Sequence, residues 1–304
     1  MTRYIPNFVI FGQYMNPANT LAAPIFADRK LNDEFNRYGY VLVKLLPAEG
    51  IKQLTDFYLA NPNPFNAGFH TTHFATDKAY KKKVHQAITK VLEPAFKQFL
   101  PNHDAVFGNF MVKEPGGNNP MPLHADWTYV DESNATSLAI WMPLIDTTPE
   151  NGQLGVIPFS QHLSCHIRGP RIKQWEFPFN ETLIKSMGKL LQVKAGEAVI
   201  YDHRLLHFSP ANNSSQVRPA LNLSLAPKNI QLIHYTVPEG KEGVHRYEVD
   251  NLDFFIYYDN FQVPERGKLT NIDMHSIPML NDRVDAFIRK YSKPGFIDRI
   301  KAWF

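Results

Sequence analysis

Ala198-Val-Ile-Tyr-Asp-His-Arg-Leu-Leu-His-Phe-Ser-Pro210 leads into the polar turn Asn212-Asn-Ser-Ser215, and the chain leaves it as Arg218-Pro-Ala-Leu-Asn-Leu-Ser-Leu225. Two short runs of β-formers thus bracket a cluster of turn residues, which is how strands joined in a sheet are written. The same pattern recurs on both sides. Ala105–Val112, Ser137–Pro143, Leu154–Ile157, Leu190–Val193, Ala198–Tyr201 and Leu221–Ala226 read as strands, and so, later, does Phe254–Tyr258. Between them stand Pro115-Gly-Gly-Asn-Asn-Pro120, Pro149-Glu-Asn-Gly152 and Ala195-Gly196. Many short strands at this spacing predict a mainly β protein whose core is a sandwich or jelly roll.

Towards the N-terminus the period changes. Residues 1 to about 27 show no sustained pattern, with Pro6, Pro17 and Pro24 scattered through them. Asp28 to Tyr38 reads as a short helix and Gly39–Leu46 as a strand, after which Pro47 opens a second helix. A long helix is predicted from Thr76-Asp77 to about Leu100, with Val84, Ile88, Leu92 and Phe96 on one apolar face. A last helix is expected around Asn281–Tyr291. No linker divides the chain. A single domain over 1–304 is expected: a helical N-terminal layer (about 1–104), a β-core (105–227) and a C-terminal elaboration (228–304).

Charge and cysteine content exclude several function classes. The formal net charge of +3 is too small to predict a nucleic-acid partner, and Lys81-Lys82-Lys83 reads as a solvated helix face. The single cysteine, Cys165, can form no internal disulfide and carries no catalytic signature. No apolar run reaches the roughly 18 residues of a membrane span. The N-terminus lacks a signal-peptide core and Lys301-Ala-Trp-Phe304 is not a peroxisomal tripeptide. A cytoplasmic protein without membrane or nucleic-acid partners is expected.

Within the β-core, His124-Ala-Asp126 follows the Gly/Pro loop. On an extended segment, residues i and i+2 project to one face, so one imidazole and one carboxylate can reach the same ion. They supply two ligands of a 2-His-1-carboxylate set, which leaves positions open on non-haem Fe(II). His207 is the expected third ligand, with His203 as its rival. Eleven residues on, Arg218 opens a strand expected to run antiparallel to the one before the turn. Its planar fork of donors suits a carboxylate. A metal-binding cupin-like isomerase or ligand sensor would need no such anchor, so Arg218 separates that reading from an oxygenase.

These motifs resemble the phytanoyl-CoA dioxygenase family of Fe(II)- and 2-oxoglutarate-dependent oxygenases. The likeness runs from about residue 36 to 226 and includes Pro122-Leu-His-Ala-Asp-Trp127, Ala139-Ile-Trp-Met-Pro-Leu144 and Thr148-Pro-Glu-Asn-Gly-Gln-Leu-Gly-Val-Ile-Pro-Phe-Ser160. Leu205-Leu-His-Phe-Ser-Pro and Arg218-Pro-Ala-Leu complete it. The chain departs from the family at Phe159-Ser-Gln-His162, where Gly-Ser-His is common. The resemblance implies a double-stranded β-helix core. It implies iron on His124, Asp126 and His207, and the distal carboxylate of 2-oxoglutarate on Arg218 with help from Ser209. Trp141 is implied to lie near the co-substrate, with Asn109 or Met111 also lining it. With O2, such enzymes hydroxylate an unactivated C–H of a small molecule and release succinate and CO2. A carboxylate at Asp126 favours this outcome over halogenation.

Substrate contacts are expected from Phe107, Trp127, Tyr129 and Asn134, which flank the metal motif, and from Arg168, Arg171 and Arg204 if the substrate is acidic. His70 and His73 read as loop residues.

Overall fold

Helix α1 (Arg29–Tyr38) begins where the Asp28 carboxylate accepts the Leu31 N–H at 2.9 Å. It ends at Gly39, whose φ of 83° suits the left-handed cap that terminates many helices. The computed structural model describes residues 24–64, 66–163, 167–172, 180–241, 243–259, 263–264, 268–272 and 281–292. After α1 come β1 (Tyr40–Lys44), α2 (Ala48–Ala60), β2 (Phe69–Thr71) and α3 (Lys78–Phe99). Asp77 caps α3 by accepting from the Ala79 and Tyr80 N–H groups. The β-core follows as β3 (His103–Lys113), β4 (Met121–His124), β5 (Leu138–Pro143) and β6 (Leu154–Val156). Then come α4 (Asn180–Met187), β7 (Lys189–Leu191), β8 (Glu197–Asp202), β9 (His207–Ser209) and β10 (Arg218–Pro227). The remainder is β11 (Leu232–Thr236), β12 (Val244–Val249), α5 (Asp253–Tyr257), β13 (Leu269–Ile272) and α6 (Asn281–Tyr291).

The strands form a six-stranded sheet, β1-β8-β5-β10-β3-β2, and a four-stranded sheet, β4-β9-β6-β7, with β11-β12-β13 as a third. The pleat sends alternate residues to opposite faces. On one face of the larger sheet, Phe110, Val112, Ile140, Ile200, Leu221 and Leu223 pack with Val84, Ile88, Leu92 and Phe96 of α3. Alternating with them along the strands, Ala139, Trp141, Val199, Tyr201 and Ala220 face the smaller sheet and pack with Leu154, Val156 and Leu191. This is the jelly roll expected from the sequence, and the site lies between its two sheets.

Four expectations are corrected. Phe254–Tyr257 lies in helix α5, with Tyr258 as its C-cap, and not in a strand: the aromatics suit a pleated surface, but Asn251 Oδ1 accepts the Asp253 N–H at 2.9 Å and turns the chain. β10 does not pair with either strand that precedes the turn. β9 lies in the smaller sheet, and β10 and β8 both flank β5 antiparallel, so they run parallel to each other. Chain reversal in a jelly roll crosses between sheets and not within one. Lys81 is not solvated: it is 3% exposed and its Nζ donates to the Tyr258 carbonyl at 2.6 Å. Finally, β4 ends at His124, so Asp126 stands just beyond the strand. Cys165 lies outside the described residues. Among those described, no helix is long and apolar enough to cross a membrane.

Leu92 is fully buried where α3 covers the larger sheet. Leu92→Ala should lower the unfolding free energy by about 2–5 kcal/mol. Urea denaturation reads this, and a loss well below that range would mean that the helical layer repacks freely.

Candidate active site

β4 and β9 are antiparallel neighbours, and their register sets His124 directly opposite His207. Their ring centroids are 4.1 Å apart. Beyond β4, the Asp126 N–H donates to the His203 carbonyl at 3.0 Å, which turns the Asp126 carboxylate back to the two rings. Its Oδ1 is 3.7 Å from His207 Nε2. Among the described residues, His124, Asp126 and His207 are the one group whose ligand atoms converge, all within 4.8 Å of one another.

The carbonyls behind the rings fix which nitrogen faces inward. His124 Nδ1 meets the Pro122 carbonyl at 2.7 Å, and His207 Nδ1 meets the Leu205 carbonyl at 3.0 Å. A ring that donates Nδ1–H to a carbonyl presents an Nε2 lone pair, the form that binds metal. Burial, with His207 beside it, presses the His124 imidazole down to about 4, so it stays neutral at neutral pH. Burial pushes the Asp126 carboxyl up, but the three neighbouring histidines and the Tyr201 hydroxyl outweigh it and hold it below the usual carboxylate range. Two imidazoles and one carboxylate are the donor set of the 2-His-1-carboxylate iron site, so the residues fit that ion.

The pocket that opens beside these ligands is lined by Met111, Lys113, Trp141, Tyr201, Ser209 and Arg218, among others. Arg218 is 2% exposed, its guanidinium carbon lies 5.6 Å from the Trp141 ring centroid, and its Nε and Nη1 meet no acceptor in the protein. Burial lowers its affinity for a proton to a pKa of about 10, which still leaves it charged at neutral pH. A buried guanidinium with free donors fits a ligand carboxylate. The Ser209 hydroxyl donates to the Gly152 carbonyl at 3.0 Å.

Other expected residues fall elsewhere. Asn109 shares the β3 face of Met111 and Lys113 but is not one of the pocket-lining residues; its Nδ2 donates to Thr71 Oγ1 at 2.6 Å. Phe107 and Tyr129 are buried with Val130, Leu232 and Phe255, and Trp127 packs against that cluster. Asn134 holds the exposed turn with Asp131. Arg204 is already paired within the protein: its partly buried guanidinium meets Asp202 Oδ2 through Nη2 at 2.5 Å. Arg168 forms a doubly bonded pair with Glu132 and donates from Nε to the Asp126 carbonyl at 2.6 Å. Arg171 lies 3.7 Å from Glu239. His203 stands behind the ligand set, with Nδ1 2.8 Å from Ser137 Oγ. His70 bridges Asn63 and Glu114, and His73 is buried against Phe107 and Trp127.

Three polar pocket residues, Tyr201, Lys113 and Asn222, were not foreseen from the sequence. The Tyr201 hydroxyl donates to Asp126 Oδ2 at 3.0 Å. Lys113 lies two residues beyond Met111 and Asn222 four beyond Arg218, so strand alternation already puts each on the pocket face.

The fold and this site together define a double-stranded β-helix protein of the 2-oxoglutarate oxygenase type. A family model for phytanoyl-CoA dioxygenase (PhyH) matches residues 35–220, and the chain belongs to that family. Phytanoyl-CoA dioxygenase 1 of Oryza sativa subsp. japonica is 26% identical over 191 residues, covering 55% of this chain and 68% of the relative. The phytanoyl-CoA dioxygenase domain-containing protein 1 homolog of Dictyostelium discoideum is 27% identical over 203 residues, covering 62% of this chain and 63% of the relative. Among solved structures, SnoN, a non-haem α-ketoglutarate-dependent epimerase from nogalamycin biosynthesis, has a TM-score of 0.50 at 18% identity. That match covers 83% of this chain and 95% of SnoN, and at this identity it is a likeness of fold.

Arg168 and Glu132 form a buried ion pair that grips the backbone of a ligand residue. Arg168→Met should therefore destabilise the protein by about 3–5 kcal/mol, and Arg168→Met/Glu132→Leu should recover much of that loss. Thermal denaturation of both variants is the check; an unchanged single variant would remove the pair from the scaffold of the site.

Proposed function

We propose that the chain is an Fe(II)- and 2-oxoglutarate-dependent dioxygenase that hydroxylates an unactivated C–H of a small molecule, releasing succinate and CO2. One observation carries this reading: a His–Asp–His set shares its pocket with a buried arginine whose Nε and Nη1 have no protein acceptor. A cupin-like isomerase or ligand sensor does not require that arginine.

The roles follow from position. His124 and His207 would hold iron through Nε2, and Asp126 through its carboxylate. Iron bound with 2-oxoglutarate and O2 supplies the oxidising power needed for C–H cleavage. The Tyr201 hydroxyl takes one carboxylate oxygen of Asp126 and so fixes the plane of that ligand. Arg218 would grip the distal carboxylate, with Ser209 at its side and Trp141 and Met111 as the walls. Asn109 acts one step back, through Thr71. Trp127 follows Asp126 directly, and we place it, with Phe107 and Tyr129 behind it, on the substrate side. SnoN, of similar fold, has been crystallised with nogalamycin RO, which supports a small-molecule substrate here. A cytoplasmic location belongs to the same reading.

Anaerobic titration with Fe(II) and then 2-oxoglutarate tests the proposal. A visible charge-transfer band that needs both additions, and is lost in Asp126→Ala, is expected. Tight metal binding without a band would sink the proposal in favour of the cupin-like alternative. Arg218→Ala should weaken 2-oxoglutarate binding by about 100-fold while iron still binds. Arg218→Lys should recover only part of this, because the fork is lost.

A further inference from the structure

Lys113 ends β3 directly opposite Arg218, the first residue of β10, and both line the pocket. Lys113 is 0% exposed. Its Nζ donates to the Ser209 carbonyl at 3.1 Å and to the Pro210 carbonyl. An ammonium has three donors, so one is left over. Gly152 gives the side chain its room: a Cβ there would stand 3.0 Å from Lys113 Cδ. Around Lys113 are Arg218 from β10, the two carbonyls at the end of β9, Gly152, and Phe69 of β2, its partner in register. None of these is acidic. Burial first, and the Arg218 guanidinium second, bring the Lys113 ammonium down to about 7, and no carboxylate offsets either effect. Arg218 is likewise pressed down by burial alone.

Two adjacent cations buried without a counter-ion oppose folding unless a ligand supplies the charge. A lysine needed only to tie down the end of β9 would not have to stand beside an unpartnered arginine. We infer that Lys113 is a second cationic contact for the distal carboxylate of 2-oxoglutarate, so that Arg218 and Lys113 together select a dicarboxylate over a monocarboxylate 2-oxo acid. This rests on the oxygenase reading above.

The test compares 2-oxoglutarate with 2-oxovalerate, which keeps the chelating end and lacks the distal carboxylate. Fe(II)-loaded wild type and Lys113→Met are titrated anaerobically with each, following the charge-transfer band. Lys113→Met should raise the dissociation constant of 2-oxoglutarate about 10- to 100-fold and leave that of 2-oxovalerate unchanged. Equal weakening of both acids would reduce Lys113 to a tether for β9, and no weakening would remove it altogether; either overturns the inference while the oxygenase reading stands. A wild type without a band for either acid would overturn both. Should Lys113→Met fail to fold, calorimetry of the wild type in buffers of different ionisation heat decides. At about pH 8, 2-oxoglutarate should take up close to one proton more than 2-oxovalerate, as Lys113 recharges beside the carboxylate. Equal uptake would overturn the inference.

Discussion

Both faces of the six-stranded sheet are buried, and the pleat decides which residue goes to which. Because the side-chain period is two, a one-residue slip in any strand would exchange the whole set. Phe110 and Val112 meet α3, while Met111 and Lys113 meet the pocket. Leu221 and Leu223 go to the helices, while Arg218 and Asn222 go inward. The helical layer therefore does more than cover a hydrophobic surface. It pins the register of β3, β5, β8 and β10, and that register aims Lys113, Trp141, Tyr201 and Arg218 between the sheets.

The smaller sheet supplies the other half. Its strands are short, β9 having three residues, so packing along their length holds them weakly. Their precision comes from backbone acceptors around the ligands. Pro122 and Leu205 take the outer ring nitrogens, His203 takes the Asp126 N–H, and Arg168 grips the Asp126 carbonyl from behind. Each ring is thus aimed by the carbonyl two residues before it, and Asp126 by His203 and Arg168 from elsewhere in the chain, the kind of outer hydrogen bond that orients metal-ligating side chains.

Much of this was legible because it is local. Strands of the β-core announce themselves by β-formers between turn clusters, and α1 and α3 by Asp28 and Asp77 before an apolar period. His124, Asp126, His207 and Arg218 stood out through spacing and family likeness. What was not legible depends on partners distant in sequence. β2 is a three-residue strand defined by its pairing with β3. α5 reads as a strand from its aromatics alone, and the Asn251 side-chain bond to the Asp253 N–H that turns the chain is a local signal beside them. No local pattern tells that Arg168 finds Glu132 or that Lys81 is buried under Tyr258. Lys113 and Asn222 were within reach, since counting by two along strands already suspected would have put them on the pocket face.

The arginines show why charge type alone misleads. Arg168, Arg204 and Arg218 are all buried or nearly so, and each could be drawn as an acid-binding residue from sequence. Two of them are neutralised by the protein itself, through Glu132 and Asp202. A guanidinium already forked onto a carboxylate has little left to offer a ligand, and removing its partner would leave a charge buried unpaired. Arg218 differs because its neighbour in register is another cation and its Nε and Nη1 meet no acceptor. The fold thus keeps its internal charges balanced at Arg168 and Arg204 and leaves a positive excess in the pocket, at Arg218 and Lys113. That contrast in pairing, more than the number of basic residues, separates the scaffold of this site from its binding surface.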